Sequence, residues 1–161
     1  MQEVALLNNK QQKHTVSNVF TRNNMSLRIT YTTKSVHIKP TTRDKLRSII
    51  ESELEQQGPD ADLNFIDTSE IGDMSFLFYH TKARNIKIDE WNVSNVTNMT
   101  NMFDGCKDFN CDLSKWNVSN VKTMSSMFFG CSAFKSNLSN WNVSNVRNMT
   151  YIFDRCKKFK S

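Results

Sequence analysis

The sequence predicts an α/β fold, a solenoid of about four strand-helix units closed at its N-terminal end by a helix. Three observations predict it. The hexapeptide Trp-Asn-Val-Ser-Asn-Val begins at Trp91, Trp116 and Trp141, at the same interval both times and with no insertion, and self-similarity at such a fixed period marks a stacked array. Within each copy the apolar positions first follow a helical spacing and then alternate. Ahead of the copies stands an isolated amphipathic stripe, Leu46, Ile49, Ile50 and Leu54.

Taken in order, residues 1–25 are rich in Asn, Gln and Lys without periodicity and read as a flexible leader. The segment 26–65 reads as an N-terminal strand and capping helix. In it, Leu27, Ile29 and Tyr31 alternate with polar residues, and Val36 and Ile38 follow, as in one long strand or a loose hairpin. Pro40 ends that run. Thr41, three positions before Asp44, gives an approximate capping box, and Gly58-Pro59 stops the helix, which is therefore expected over 41–57. A helix over the open end of an array is a common closure, so 41–57 is expected to be the N-terminal cap. Leu63 and Phe65 then read as the strand entering the first repeat.

The array spans 66–161, with a degenerate unit at 66–90, full copies at 91–115 and 116–140, and a last unit at 141–161. Its core columns are Trp91, Trp116 and Trp141; Val96, Val121 and Val146; Met99, Met124 and Met149; Phe103, Phe128 and Phe153; and Cys106, Cys131 and Cys156. Val96, Met99, Met102, Phe103 and Cys106 share one face of a helix. Ser94 or Asn95 offers an N-cap, and Gly105 or Gly130 a left-handed terminus. Trp116 and Val118 flanking Asn117 read as a short strand. A single unit cannot bury its apolar face; stacking on the next copy does so.

The run 91–106, Trp-Asn-Val-Ser-Asn-Val-Thr-Asn-Met-Thr-Asn-Met-Phe-Asp-Gly-Cys, resembles the repeat of the BspA-like bacterial surface proteins, the 26-residue-repeat surface protein family. Residues 39–73 resemble the segment leading into such arrays, so the likeness covers about 39–161. It implies a right-handed, leucine-rich-repeat-like architecture, display on the cell surface or secretion, adhesion or host-protein binding, and no catalytic residues. The partner so implied is a protein, such as a host surface or matrix component.

Composition bounds the function. Apolar residues make up 38%, and no run approaches a membrane span. Positions 1–25 hold no apolar core of signal-peptide length. By itself this points to a cytoplasmic protein, a removed leader, or a segment of a longer chain. Residues 1–90 balance 12 basic against 12 acidic side chains, whereas 91–161 hold 9 against 4, so the whole net charge of +5 lies in the repeats. That excess reads as a solvated end. Its lysines are not interleaved with exposed aromatics as single-strand binders require, which argues against nucleic acid. The last unit stops after Phe159 without a cap, and an open end exposes apolar surface that promotes association; a truncated chain, end-to-end self-association, and a tail kept soluble by its basic residues are the three expectations this leaves open.

Nothing in the sequence points to catalysis, a cofactor or a metal. His14, His37 and His80 are far apart, and the four cysteines lack paired zinc-motif spacing. The Cys106, Cys131 and Cys156 column reads as buried thiols, with a disulfide between neighbours open in an oxidising compartment. Cys111, in a turn, reads as the more reactive thiol. Eight Asn-x-Ser/Thr triplets read as turn and cap chemistry rather than glycan acceptors.

The reading is a non-enzymatic repeat module that offers an extended protein-binding surface. The alternatives are an intracellular scaffold module and a basic nucleic-acid-binding surface. Specificity in repeat arrays resides in the variable positions. The candidate contacts are Thr97, Lys122 and Arg147 in one column, Asn101, Ser126 and Tyr151 in another, and Phe129.

Overall fold

The computed structural model describes residues 14–17, 28–31 and 37–160, and the chain divides into two units, Met1–Val36 and His37–Ser161. In the first, β1 (His14–Ser17) pairs antiparallel with β2 (Arg28–Tyr31), Val16 opposite Ile29. β1 falls within the stretch expected to be a flexible leader. The rest of that leader, and the continuation of the strand expected through Val36, lie outside the described residues.

The second unit opens with Ile38, which bridges in parallel to Ile66. The amphipathic stripe forms α1 (Arg43–Gln57). Its N-cap is Thr42, the neighbour of the Thr41 expected: the Thr42 hydroxyl accepts from the Lys45 N–H at 3.3 Å, and Asp44 sits in the first turn, where the helix dipole favours an anion. Gly58, at φ 83°, ends the helix and donates its N–H to the Leu54 carbonyl. Leu46 and Ile50 are buried in the same core as the repeats. Arg47 donates to the Phe76 carbonyl at 2.7 Å and Arg43 to the Ser75 hydroxyl at 3.1 Å, which ties α1 to the first repeat.

The repeats themselves correct the expected fold class. Among the described residues from 66 onward there is neither a helix nor a named strand, so the strand-helix solenoid of leucine-rich-repeat type is not what forms. Each repeat unit is a succession of turns. In 96–106 the even-numbered amides close short loops: Met102 N–H to Met99 C=O, Asp104 to Asn101, and Cys106 to Phe103. The odd-numbered amides leave the unit. Those of Met99, Asn101, Phe103 and Gly105 donate to Thr123, Ser125, Met127 and Phe129 in the next copy at 2.9–3.0 Å. Backbone groups that a helix would satisfy internally are thus satisfied between copies.

The physical reason lies in Asn and Gly. Asn98 caps the Thr100 N–H with its own side chain at 3.0 Å, an alternative to helical bonding. Asn101 and Gly105 then take φ of 54° and 75°, which no right-handed helix contains. The expected strand at 113–118 is likewise two turns, Trp116 N–H to Leu113 C=O and Val121 to Val118, with Asn117 Oδ1 accepting from Ser119. Single parallel bridges join Asp73, Asn98, Thr123 and Asn148 in succession, so the copies lie in register at the period of the sequence.

That register builds the core. Trp91 and Trp116 stack with ring planes 4° apart, and the Trp91, Trp116 and Trp141 indoles each donate to a carbonyl of the preceding unit, those of Leu63, Ile88 and Leu113, at 2.9–3.0 Å. Phe78, Phe103, Phe128 and Phe153 form a continuous stack at 5.1–5.7 Å, beside which Phe109, Phe134 and Phe159 form a second at 5.8–5.9 Å. Offset ring pairs at these separations are favourable beyond the area they bury. The core columns are buried in the 91–115 and 116–140 copies, while Trp141, Val146, Phe153 and Cys156 are half-buried and Met149 is exposed.

Candidate binding surface

Register also stacks the variable positions. Thr97, Lys122 and Arg147 are exposed, and the amide of each donates to the residue before it in the column: Thr97 to Gly72, Lys122 to Thr97, and Arg147 to Lys122, all at 2.8 Å. Backbone pairing therefore fixes this ladder; the Thr97 hydroxyl adds a bond to the Gly72 carbonyl at 3.2 Å, and the Lys122 and Arg147 side chains are exposed.

Asn101, Ser126 and Tyr151 share a left-handed turn position, with φ 54°, 54° and 59°. Asn suits that conformation; a bulky aromatic there costs on the order of 1 kcal/mol. Asn101 is further held by its amide donating to Asp104 Oδ2 at 2.6 Å. Tyr151 is 65% exposed. Phe129 is half-buried, with the Arg155 guanidinium 5.0 Å from its ring centre, so part of its face is already occupied by a cation–π contact.

Two aromatics of the same columns escape a reading based only on the three closest copies. Phe76 is the equivalent of Tyr151, also left-handed (φ 57°), and Tyr79 is the equivalent of Phe129. Both are exposed, packed edge to face at 5.5 Å, and Tyr79 also meets the His80 ring at 4.3 Å. The signal was present: continuing the repeat frame one copy earlier places them in phase. With Met149 and Tyr151 they are the exposed large apolar side chains among the described residues.

The cysteines are structural. The Cys106, Cys131 and Cys156 thiols donate to the carbonyls of Phe78, Phe103 and Phe128 at 2.9–3.0 Å, one unit back. All four cysteines are free. Cys111 is not the accessible thiol its turn position suggested. It is buried, donates to the Ile86 carbonyl at 3.1 Å, and burial pushes it up to about 12. Burial likewise raises Cys106 and Cys156 to about 11. A thiolate is the nucleophile and ligand form, so these positions suppress both chemistries.

Among the described residues no group of three or more His, Cys, Asp or Glu side chains converges as a metal site would require, and no helix is long and apolar enough to cross a membrane. Ion pairs bridge successive units on the surface: Lys39 with Asp67 and Glu70, Asp60 with Arg84, and Asp62 with Lys87. The hydrogen bonds from Arg84 hold the Asp60 carboxyl down at about 2.

Compared with known proteins, residues 48–161 match the family described as "Mycoplasma protein of unknown function, DUF285". No curated protein matches the chain, and no solved structure matches it.

Proposed function

We propose that this chain, which belongs to the DUF285 family of Mycoplasma proteins, is a non-enzymatic repeat module that presents an extended surface to a protein partner. The observation that carries the reading is the exposed ladder Thr97, Lys122 and Arg147, whose amides are all satisfied within the stack. An invariant interior repeated in register, bearing side chains that differ at each step, is the arrangement by which repeat arrays display recognition residues. Tyr151 supports it independently. An exposed aromatic kept in a left-handed turn, where its counterpart is Asn101, is strain of the kind that accumulates at functional positions. The resemblance to BspA-like repeats favours a bacterial surface or adhesion role, with a host surface or matrix protein as partner.

The test combines location and binding. Protease treatment of intact cells should digest a surface protein and spare an intracellular one. Binding to a panel of purified extracellular-matrix proteins should then be lost in Lys122→Ala and Tyr151→Asn with no loss of stability. Unchanged binding in both variants removes this surface.

A second reading, an intracellular scaffold module, is favoured by the four free thiols and would be upheld by resistance to external protease. A nucleic-acid surface demands a steep fall of affinity with salt, and a flat response excludes it.

A further inference from the structure

The first repeat carries a pair of aromatic side chains that its core does not use. Phe76 is 41% and Tyr79 38% exposed, and their rings meet edge to face at 5.5 Å. Phe76 and His80 hold left-handed backbone, φ 57° and 55°, in columns where the next two copies place Asn101 and Ser126, and Gly105 and Gly130. Large rings kept where smaller residues suit the backbone are strain of the kind that accumulates at functional positions. The Phe76 amide donates to the Thr100 carbonyl at 3.0 Å and the His80 amide to the Asp104 carbonyl at 2.8 Å, so Asn101 and Asp104 lie one rung away. The Asp104 carboxylate accepts from the Asn101 amide at 2.6 Å and forms no ion pair among the described residues. Exposed aromatic rings beside an unpaired carboxylate are the chemistry that receives a cation.

The fold itself shows which cation. Tyr79, Asp104, Phe129 and Asp154 form one column. At Phe129 the seat is filled from within, by the Arg155 guanidinium 5.0 Å from the ring centre. The residue that stands to Tyr79 as Arg155 stands to Phe129 is Gly105, which has no side chain to offer. The His80 ring lies over that glycine and meets Tyr79 at 4.3 Å, yet leaves both Tyr79 and Phe76 open to solvent. Two guanidiniums approach from α1, but both are engaged: Arg47 with the Phe76 carbonyl and Glu51, and Arg43 with the Ser75 hydroxyl and Asp44. Each arrives with a carboxylate, so these two pairs add no net charge. We propose that Phe76, Tyr79 and Asp104 seat an arginine side chain of the protein partner, its planar guanidinium against the Tyr79 ring and its N–H groups turned to the Asp104 carboxylate. The proposal rests on the binding-module reading and names the chemistry of one contact. Lys122 and Arg147 on the ladder call for acidic groups on that partner, whereas this seat calls for a basic one.

The probes are blocked tripeptides, Gly-Arg-Gly and the same sequence with lysine or with citrulline, the uncharged isostere of arginine. Each is titrated into the full chain at low salt and followed by NMR. The arginine peptide should move the ring signals of Phe76 and Tyr79 and the side-chain signals of Asp104, saturating with a Kd of about 1–10 mM, the scale of a single side-chain contact. Lysine should bind about threefold more weakly and citrulline about tenfold more weakly. Tyr79→Ala and Asp104→Asn should each weaken the arginine peptide about fivefold or more, with the amide spectrum of the other repeats unchanged. Phe76→Asn is the variant safest for the fold, because it places at φ 57° the residue type that Asn101 already uses there, and it too should weaken binding. Equal binding of citrulline, shifts confined to other residues, or unchanged affinity in Tyr79→Ala and Phe76→Asn would each overturn the proposal. Tetramethylammonium binding as tightly as the arginine peptide would assign the rings to a quaternary ammonium and overturn it as well. None of these outcomes involves the matrix-protein panel, so this seat can fail while the ladder of Thr97, Lys122 and Arg147 stands, and the reverse.

Discussion

The Trp116 indole N–H donates to the carbonyl of Ile88 at 3.0 Å, across the boundary between successive units. Both groups are buried, so the bond closes a gap that water cannot fill. Trp116→Phe keeps most of the ring volume and removes this bond, leaving the Ile88 carbonyl with the Trp91 N–H as its other partner at 3.1 Å. It should cost about 0.5–1.5 kcal/mol in chemical denaturation. Trp116→Ala, which also opens a cavity, should cost about 3–5 kcal/mol. A Trp116→Phe variant as stable as the parent would mean that the bond contributes nothing.

Gly105 and Gly130 occupy the same column at φ 75° and 71°, yet their surroundings differ. A Cβ at Gly105 would lie 2.6 Å from His80 Nδ1, whereas at Gly130 nothing comes closer than 3.8 Å. Gly130→Ala should therefore show only the left-handed backbone penalty, on the order of 1 kcal/mol. Gly105→Ala should cost more, and His80→Ala in the same chain should recover the excess. The double variant is measured against both singles by denaturation.

Tyr151→Asn places at φ 59° a residue suited to that conformation, the one its counterpart Asn101 already uses. The variant should be more stable by about 0.5–1 kcal/mol. Partner binding should fall at the same time, the opposed signs of stability and function expected where strain is kept for recognition. Destabilisation would show that the Tyr151 ring contributes to packing despite its exposure.

Two pH effects follow from the shifted groups. Hydrogen bonding from Arg84 lowers Asp60 to about 2, so this pair's contribution is present above the ordinary aspartate range and is lost as pH falls from about 4 towards 2. Arg84→Ala should remove that part of the acid sensitivity. Burial raises Cys106, Cys111 and Cys156, so their contribution is complete below an ordinary thiol value near 9 and is lost as pH rises towards 11 to 12. A thiol reagent at pH 8 should accordingly label the native protein slowly, with half-buried Cys156 first, and label all four cysteines once it is unfolded. Rapid native labelling of Cys111 would contradict its placement.

The period and the inward columns were legible because identical residues one period apart must meet identical environments in a register-stacked chain. So Trp116, Phe103 and Cys131 were read as interior from spacing alone. The backbone path between them was not legible. Met99, Met102, Phe103 and Cys106 face inward equally well on a helix and on a chain of turns, and apolar spacing fixes only the facing. What decides the path is where the amides of Met99, Asn101 and Phe103 go, and their acceptors, Thr123, Ser125 and Met127, lie in the next copy. Asn98 and Asn101 carried the local warning, as residues that prefer Asx turns and left-handed backbone to a helix interior. On the surface, the Thr97, Lys122 and Arg147 column could be read from sequence, whereas the Arg155 contact over Phe129 joins side chains of two different units.

The most direct measurement is of scalar couplings across the hydrogen bonds of the 91–115 copy by NMR. Turn-built units bonded to one another predict couplings from the Met99 amide to the Thr123 carbonyl and from the Phe103 amide to the Met127 carbonyl. Couplings from the Phe103 amide back to the Met99 carbonyl, with a right-handed φ at Asn101, would instead show a helix in each copy and contradict the account.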